Sequence, residues 1–176
     1  SVLAGQSGDV VLQAFLVFDT GHLYAWMLDA ERGTPLMLAG IRALDALPVA
    51  EFVQRPGVAQ WVATSLPQHD VVDRADLRGL ASVGDLRRGT LIMCLAGAGQ
   101  FDTALEIGEP FIRRLSGVSR PAAIEGSFSD ACDGVATASL ELGELQRGRE
   151  VWELAYRSAE AIDHYFSMAQ YLVWTL

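Results

Sequence analysis

The chain has 176 residues, is 51% hydrophobic and carries a net charge of −9. All 13 basic residues are arginine, and the absence of lysine excludes a P-loop phosphate clamp or a Schiff-base nucleophile within this chain. The acidic balance argues against direct contact with nucleic acid, which needs a basic footprint.

Targeting and membrane signals are not evident in the sequence. No charged segment precedes an apolar core near the start, and no apolar run reaches the roughly 18 residues of a membrane helix. We therefore expect a cytoplasmic protein without membrane contact. Because the chain begins without Met and ends in the apolar run YLVWTL, we expect a piece of a larger protein, with a short, processed complete chain as the alternative.

The first 47 residues are predicted to form a helical hairpin. Residues 10–28 fit one long helix, but the Asp-Thr-Gly sequence at 19–21 also fits the turn of a β-hairpin. The helix is favoured because residues 34–47 follow as a matching partner. In that partner Thr34 would be the N-cap and Pro35 the first helical residue.

An irregular connection is predicted for residues 48–81. Pro48 ends the preceding helix, and residues 49–54 and 56–66 are expected to be short helices bounded by proline. Polar and charged residues are densest towards the end of this segment, which indicates an exposed connection.

A repeated hairpin organises the rest of the chain. The pattern G-x-F-x-x-A begins at Gly99, between two helices predicted for residues 91–115, and the pattern G-x-L-x-x-G begins 44 residues later at Gly143. Each is preceded by an S-x-x-D motif, starting at Ser82 and Ser127, which resembles a capping box. A start signal, a helix, a Gly turn and a second helix, present twice at one period, are typical of a helical repeat array.

These units resemble tetratricopeptide repeats. The period exceeds the usual 34 residues of that family, and we assign the excess to a Gly-, Ser- and Pro-rich loop at residues 116–129. Long, irregular repeats of this kind are similar to the helical sensor domains of large ATP-dependent bacterial transcription activators. The matching positions are Leu91, Leu95, Gly99, Phe101 and Ala104 in one unit and Val135, Ser139, Gly143, Leu145 and Gly148 in the next, followed by Trp152 and Ala155.

The resemblance implies an all-α fold, a short right-handed stack of antiparallel helical hairpins in a TPR-like superhelix. We expect a single domain over residues 1–176, with an N-terminal hairpin at 1–47 and the irregular connection at 48–81. Two TPR-like units and an unpaired last helix, residues 159–176, would fill residues 82–176. The apolar side chains of that last helix predict a homodimer through it, or docking of the next domain of a parent protein.

Catalytic and metal-binding motifs are incomplete. The Asp-Thr-Gly sequence at 19–21 matches part of an aspartic protease loop, but His22 follows it and no second copy exists. The other histidines, His69 and His164, also lack metal-ligand spacing, and there is no G-x-S-x-G nucleophile elbow. We therefore expect no enzymatic activity, no metal and no cofactor.

The charged clusters and the cysteines are predicted to have no direct functional role. The acidic residues between 141 and 153 are expected to form a solvated face. The pairs Arg87-Arg88 and Arg113-Arg114 are also expected to face solvent, with the acidic groups of a partner as the alternative. Cys94 and Cys132 form no C-x-x-C motif and are predicted to be buried free thiols.

A binding groove follows from the repeat resemblance. In such arrays certain first-helix positions line a concave surface, where methionine and aromatic side chains suit a partner. Tyr171 and Trp174 would alternatively pack against a missing helix, and the first two positions apply only if residues 10–28 are helical. The mapped positions are Tyr24, Met27, Met93, Thr137, Glu141, His164, Tyr171 and Trp174.

Three functional hypotheses follow from these patterns. The first is a non-catalytic protein-protein interaction or regulatory module of a bacterial signalling or transcription-regulating protein, binding a peptide or another domain of its parent. The second is a small-molecule sensing domain with a pocket where residues 48–81 meet the array. An enzyme is the third and the least supported by the residues.

Overall fold

The computed structural model describes residues 9–55, 77, 80–118, 120 and 122–161. These ranges contain seven α-helices and no β-strand, so the predicted all-α class is confirmed for them. The helices are α1 (Val10–Trp26), α2 (Ala30–Asp45), α3 (Val49–Gln54), α4 (Asp85–Gly97), α5 (Phe101–Leu115), α6 (Ala122–Glu141) and α7 (Leu145–Ala161).

The first helix resolves the ambiguity of residues 10–28. The Asp9 side chain caps α1 by accepting hydrogen bonds from the backbone N–H groups of Val11 (3.0 Å) and Leu12 (3.2 Å). The Asp-Thr-Gly sequence at 19–21 lies inside this helix, where the Thr20 hydroxyl donates to the Leu16 carbonyl oxygen. A β-hairpin and a protease-like loop are therefore both excluded at this position.

The predicted start of α2 is wrong. The helix begins at Ala30, where the Asp29 side chain accepts a hydrogen bond from the Arg32 N–H at 3.3 Å, and Pro35 lies inside the helix. The strong local signal at Thr34-Pro35 is overridden because an earlier cap is available. The chain between α1 and α2 is consequently a short turn and not a loop of several residues.

Glycines allow α1 and α2 to pack very closely as an antiparallel pair. A Cβ atom on Gly21 would lie 2.7 Å from the Gly33 carbonyl oxygen, and one on Gly40 would lie 2.6 Å from the Phe18 Cβ atom. Real Cβ atoms do not approach other atoms this closely, so only glycine permits this helix-helix distance. The N-terminal hairpin is thus a tightly packed unit.

Both predicted glycine turns are confirmed. Gly99 (φ 74°) follows α4 and Gly143 (φ 85°) follows α6, each in the left-handed region that glycine tolerates best. Each turn is a Schellman motif: Gln100 N–H donates to the Leu95 carbonyl oxygen (2.9 Å), and Glu144 N–H donates to the Ser139 carbonyl oxygen (2.8 Å). The hairpins α4/α5 and α6/α7 therefore turn in the same way.

The second S-x-x-D motif is not a helix start, contrary to prediction. α6 begins at Ala122, so Ser127 and Asp130 lie within it and the predicted 116–129 loop is too long. The Ser127 hydroxyl bonds to α4 instead, donating to the Asp85 carbonyl oxygen (2.6 Å) and accepting from the Gly89 N–H (2.9 Å). A contact between distant helices has taken the place of a local cap.

The central helix of the second half is α6, which packs against α4, α5 and α7. Trp152 of α7 is buried in the main apolar core, as the repeat register predicts, whereas Phe101 and Leu105 of α5 are only half-buried at its edge. α3 begins and ends where it was predicted, and its Phe52 and Val53 are buried in a second apolar cluster beside α1.

Asp85 and the groups it contacts join four helices. Asp85, at the first position of α4, is 1% exposed and accepts two hydrogen bonds from the Arg114 guanidinium of α5, at 2.8 and 3.0 Å. Arg88 also contacts it at 3.3 Å and continues to Asp45, the last residue of α2, at 2.7 Å. The Ser127 hydrogen bond to the Asp85 backbone carbonyl oxygen adds α6.

The predicted solvent role is wrong for Arg87 and Arg88, whose side chains are 14% and 20% exposed. Arg113 is exposed as predicted, and Arg114 remains 42% exposed while it contacts Asp85.

A second ion pair fixes the connection between α5 and α6. The Arg120 guanidinium donates to both Glu125 carboxylate oxygens at 2.9 Å and lies 3.9 Å from the centre of the Phe128 ring. The Ser158 hydroxyl of α7 donates to the same carboxylate at 2.6 Å. This pair therefore links the start of α6 to the far end of α7.

None of the helices in the described ranges combines the length and the apolar character needed to cross a lipid bilayer. The acidic residues predicted to be solvated, Glu141, Glu144, Glu150 and Glu153, are all exposed.

Candidate functional site

One face of the α4–α6 pair is only half-buried. We define the α4–α6 face as Arg87, Thr90 and Met93 of α4 together with Asp130, Asp133 and Thr137 of α6, all of which are intermediate in exposure between the core and the surface. Within each helix these positions are three or four apart, so they follow one side of the helix. The flanking positions Leu91, Ile92 and Val135 are buried in the core.

Close backbone contact brings the two halves of this face together. A Cβ atom on Gly134 would lie 2.7 Å from the Met93 backbone nitrogen, which places Met93 directly against α6. One turn earlier, the Thr90 hydroxyl donates to an Asp130 carboxylate oxygen at 2.9 Å. Thr137 lies one turn beyond Gly134 on α6, so the face continues past Met93.

The two carboxyl groups of the α4–α6 face have raised pKa values. Burial raises the pKa of Asp130 to about 6, and the neighbouring Asp133 contributes in the same direction, while the Thr90 hydrogen bond and Arg87 oppose the rise. Burial also raises the pKa of Asp133, against the hydrogen bond from the Trp152 indole N–H at 3.4 Å. Both groups therefore hold a proton more readily than exposed aspartates do.

Arg87 connects this face to the first helix. Its guanidinium lies 3.5 Å from the Asp19 carboxylate and 5.1 Å from the centre of the Phe15 ring, both on α1. His22 lies one turn beyond Asp19, and burial together with the charge of Arg87 lowers its pKa. The Asp-Thr-Gly sequence thus supplies a structural contact to α4 through its aspartate.

The cysteines are poor nucleophiles where they lie. Cys94 is half-buried beside the α4–α6 face, and burial and the charge of Asp130 raise the pKa of its thiol to about 11. Cys132 is fully buried, and burial raises its pKa as well. Both are free thiols, as predicted, and remain protonated at neutral pH, where a thiolate would be needed for attack.

The chemistry available on this face is hydrogen bonding and apolar contact. Among the residues that the structure describes, no group of three or more His, Cys, Asp or Glu side chains is placed to hold a metal ion. The Thr137 hydroxyl, the Asp133 carboxyl group and the adaptable Met93 side chain can instead contact the backbone and side chains of a partner.

The predicted groove residues fall into three groups. Met93 and Thr137 lie together on the α4–α6 face, and Glu141 is exposed at the end of α6. Tyr24 is half-buried near the end of α1, with the Arg32 guanidinium 6.0 Å from its ring centre, and Met27 is exposed directly after α1. His164, Tyr171 and Trp174 lie outside the described residues, as does the dimer contact predicted for the last helix.

The polar residues of this face were not predicted from the sequence. Thr90, Asp130 and Asp133 were overlooked because Asp130 was assigned to a helix cap and Asp133 to no role. The D-x-x-D spacing at 130–133 was the available signal, since it places both carboxyl groups on one side of a helix. The pocket predicted where residues 48–81 meet the array depends mostly on residues 56–76, which lie outside the described ranges.

Comparison of the chain with protein-family models, with curated proteins and with solved structures found no match. The described residues alone show an all-α protein built largely from antiparallel helical hairpins.

Replacing Asp130 by Asn should stabilise the protein at neutral pH. A carboxyl group whose folded pKa is raised from 3.8 to about 6 contributes stability at low pH that is lost as the pH rises through that interval. At pH 7.5 the ionised carboxylate should cost roughly 1–3 kcal/mol, and the amide removes that cost while its oxygen still accepts from Thr90. Chemical denaturation at several pH values should show the difference between Asp130→Asn and the native chain growing between pH 4 and 7.

Glu106→Gln, which replaces an exposed carboxylate on α5 by an amide, is the matched control for the same substitution outside the packed α4–α6 pair. A loss of stability in Asp130→Asn at pH 7.5 would mean that Arg87 outweighs burial at this site and that Asp130 is ionised at low cost.

Proposed function

We propose that this chain is a non-catalytic protein-protein interaction module, a TPR-like stack of helical hairpins from a bacterial signalling or transcription-regulating protein. Its partner would be a peptide or another domain of a parent protein. Nucleic acid is disfavoured as a partner by the net charge of −9.

The arrangement of the last four described helices supports the TPR-like part of the proposal. α4/α5 and α6/α7 are antiparallel hairpins with the same Schellman turn, and α6 packs on both helices of the preceding hairpin. Stacking of each hairpin on its neighbour is how repeat arrays bury apolar faces that one hairpin cannot cover alone. In such an array, the first helices of successive units lie side by side, as α4 and α6 do.

The observation that carries the proposal is the half-buried α4–α6 face. It presents Met93 and Thr137 on adjacent helices of a closely packed pair, with Asp133 one turn and Asp130 two turns from Thr137 along α6. Flexible thioether contacts combined with hydrogen-bonding groups suit a peptide, whose backbone supplies both donors and acceptors. The deactivated thiols of Cys94 and Cys132 favour binding over nucleophilic catalysis at this place.

A phage-displayed library of random 12-residue peptides provides the test. Immobilised native protein should enrich a set of peptides, and the double variant Met93→Glu/Thr137→Arg should bind them at least ~10-fold more weakly because two contact positions become bulky charges. Glu106→Arg, a charge change on an exposed position of α5, should bind the same peptides as the native chain.

Circular dichroism must show that the double variant keeps its helix content and melting temperature. If no peptide is enriched, or if both variants bind equally well, the α4–α6 face is not a peptide site and the proposal fails.

A further inference from the structure

The end of the first hairpin presents large apolar side chains to solvent. We define the α1 tip as Leu23, Trp26, Met27 and Leu28, and their side chains are among the most exposed large apolar groups that the structure describes. Leu28 is 94% exposed and Trp26 is 76% exposed. Exposed apolar groups that cluster in this way mark contact sites more often than isolated ones do.

A Schellman turn ends α1 and places Leu28 at the tip: Asp29 N–H donates to the Tyr24 carbonyl oxygen at 2.9 Å, and Leu28 N–H donates to the Ala25 carbonyl oxygen at 3.0 Å. Leu28 has φ 61°, in the left-handed region, and it is the one residue other than glycine with a positive φ in the described ranges. Asparagine or glycine would adopt this conformation at lower cost, and either would remove the apolar group from solvent. Leucine at this position of the turn therefore has a conformational cost and leaves a large apolar side chain in solvent.

The geometry of the tip fits another helix. Leu23, Trp26 and Met27 are spaced i, i+3 and i+4, so they form a stripe along the last turn of α1. The Trp26 indole N–H donates to the His22 Nε2 atom at 2.8 Å, which orients the exposed ring. Close glycine packing of α1 against α2 holds the stripe on a rigid support.

The charge around the tip favours a cationic partner. The last turn of α1 contains no basic residue to complement its negative end, and Asp29 and Glu31 follow directly. Arg32 lies beside the tip, but its guanidinium is 3.5 Å from Asp29, which offsets its charge, and 6.0 Å from the Tyr24 ring centre. An incoming helix with basic residues beside its apolar stripe would therefore meet complementary charge.

Other occupants fit less well. Pairing two tips would bring two chains of net charge −9 together. A membrane surface with anionic lipids would repel the same charge. We infer that the α1 tip is a docking site for a basic amphipathic helix, separate from the α4–α6 face and additional to the proposed function.

The test uses a fluorescently labelled 18-residue peptide of leucine and lysine, with leucines at helical i, i+3, i+4 spacing. Anisotropy titration should show that it binds the native chain at least ~10-fold more tightly than the same peptide with glutamate in place of lysine. Leu28→Gly should weaken binding ~5-fold or more while raising the melting temperature by roughly 2–5 °C, because glycine relieves the left-handed strain.

A matched pair of substitutions separates the tip from general hydrophobicity. Leu23→Ser removes a side chain that is 66% exposed at the tip, and Leu145→Ser removes one that is 67% exposed at the α6–α7 turn. Binding should fall for the first and stay unchanged for the second. Equal effects of the two variants would overturn the proposal, because the peptide would then be binding any exposed apolar group.

Two further measurements decide between occupants. Co-sedimentation of the native chain with phosphatidylcholine vesicles that is lost in Leu28→Gly would overturn the proposal in favour of a membrane. Light scattering that shows a dimer for the native chain and a monomer for Leu23→Ser would overturn it in favour of a second copy. The double variant Met93→Glu/Thr137→Arg should bind the leucine-lysine peptide normally, so failure of the α4–α6 face and failure of the tip can be told apart.

Discussion

Asp85→Ala should destabilise the protein by roughly 2–4 kcal/mol, because it removes a buried carboxylate that accepts two charged hydrogen bonds from a partly exposed arginine. The Asp85 side chain is 2% exposed and accepts both hydrogen bonds of the Arg114 fork. Alanine would leave Arg114 without its partner and Arg88 with Asp45 alone. Urea denaturation followed by circular dichroism at pH 7.5 measures the loss.

Two controls show whether the carboxylate itself is responsible. Asp85→Asn keeps the shape and one acceptor oxygen, so it should cost less than Asp85→Ala, about 1–3 kcal/mol. Asp85→Ala, Arg114→Ala and the double variant form a thermodynamic cycle, whose coupling free energy should exceed about 1 kcal/mol. A loss below 1 kcal/mol in Asp85→Ala would show that the Asp85 carboxylate contributes little to folding.

Local sequence signals were sufficient to predict many of the helix ends and turns. Glycine at a helix C-terminus has a direct backbone cause, so the turns at Gly99 and Gly143 could be placed from sequence alone. Proline boundaries likewise fixed the extent of α3. The helical state of residues 10–28 was favoured only indirectly, through the matching partner that follows, because apolar runs fit helices and strands equally well.

Contacts between distant residues account for the errors. The S-x-x-D motif at Ser127 has the composition of a cap, but its hydroxyl bonds to α4 from the middle of α6. Arg88 and Arg114 resemble surface arginines until Asp85 and Asp45 are brought beside them. Partners of this kind lie 29 to 43 positions apart in the chain, a separation at which sequence spacing carries no information about contact.

In the candidate site too, residues set by local signals were predicted, and residues set by contacts between helices were not. Met93 and Thr137 were predicted because the repeat register assigns a side to each first-helix position, and that register depends on local glycine turns. Asp130 and Asp133 were missed because their significance lies in burial against α4, and burial of a polar helix position is set by the neighbouring helix. The raised pKa of Asp130 is therefore a property of the packed pair and not of the D-x-x-D motif.

The second large change in stability is expected on substitution of a glycine of α4. Gly89 lies where α4 crosses α6, and a Cβ atom there would overlap the carbonyl oxygen of Ser127. The overlapping atom belongs to the backbone of a helix, so it cannot move aside as a flexible side chain would. Relief would require the two helices to separate, which would also stretch the Gly89 N–H bond to the Ser127 hydroxyl.

Gly89→Ala should therefore destabilise the protein by roughly 3–5 kcal/mol, at the upper end for overpacking because backbone must move and an interhelical hydrogen bond is weakened. Gly97→Ala, on the same helix, should have the opposite sign: a Cβ atom there meets nothing within 4 Å, and alanine should stabilise the helix by about 0.5–1 kcal/mol. Thermal denaturation of both variants beside the native chain measures the two signs in one experiment. If Gly89→Ala were neutral, α4 and α6 could not pack at this distance, and the α4–α6 face would lose the rigid support on which its proposed binding role depends.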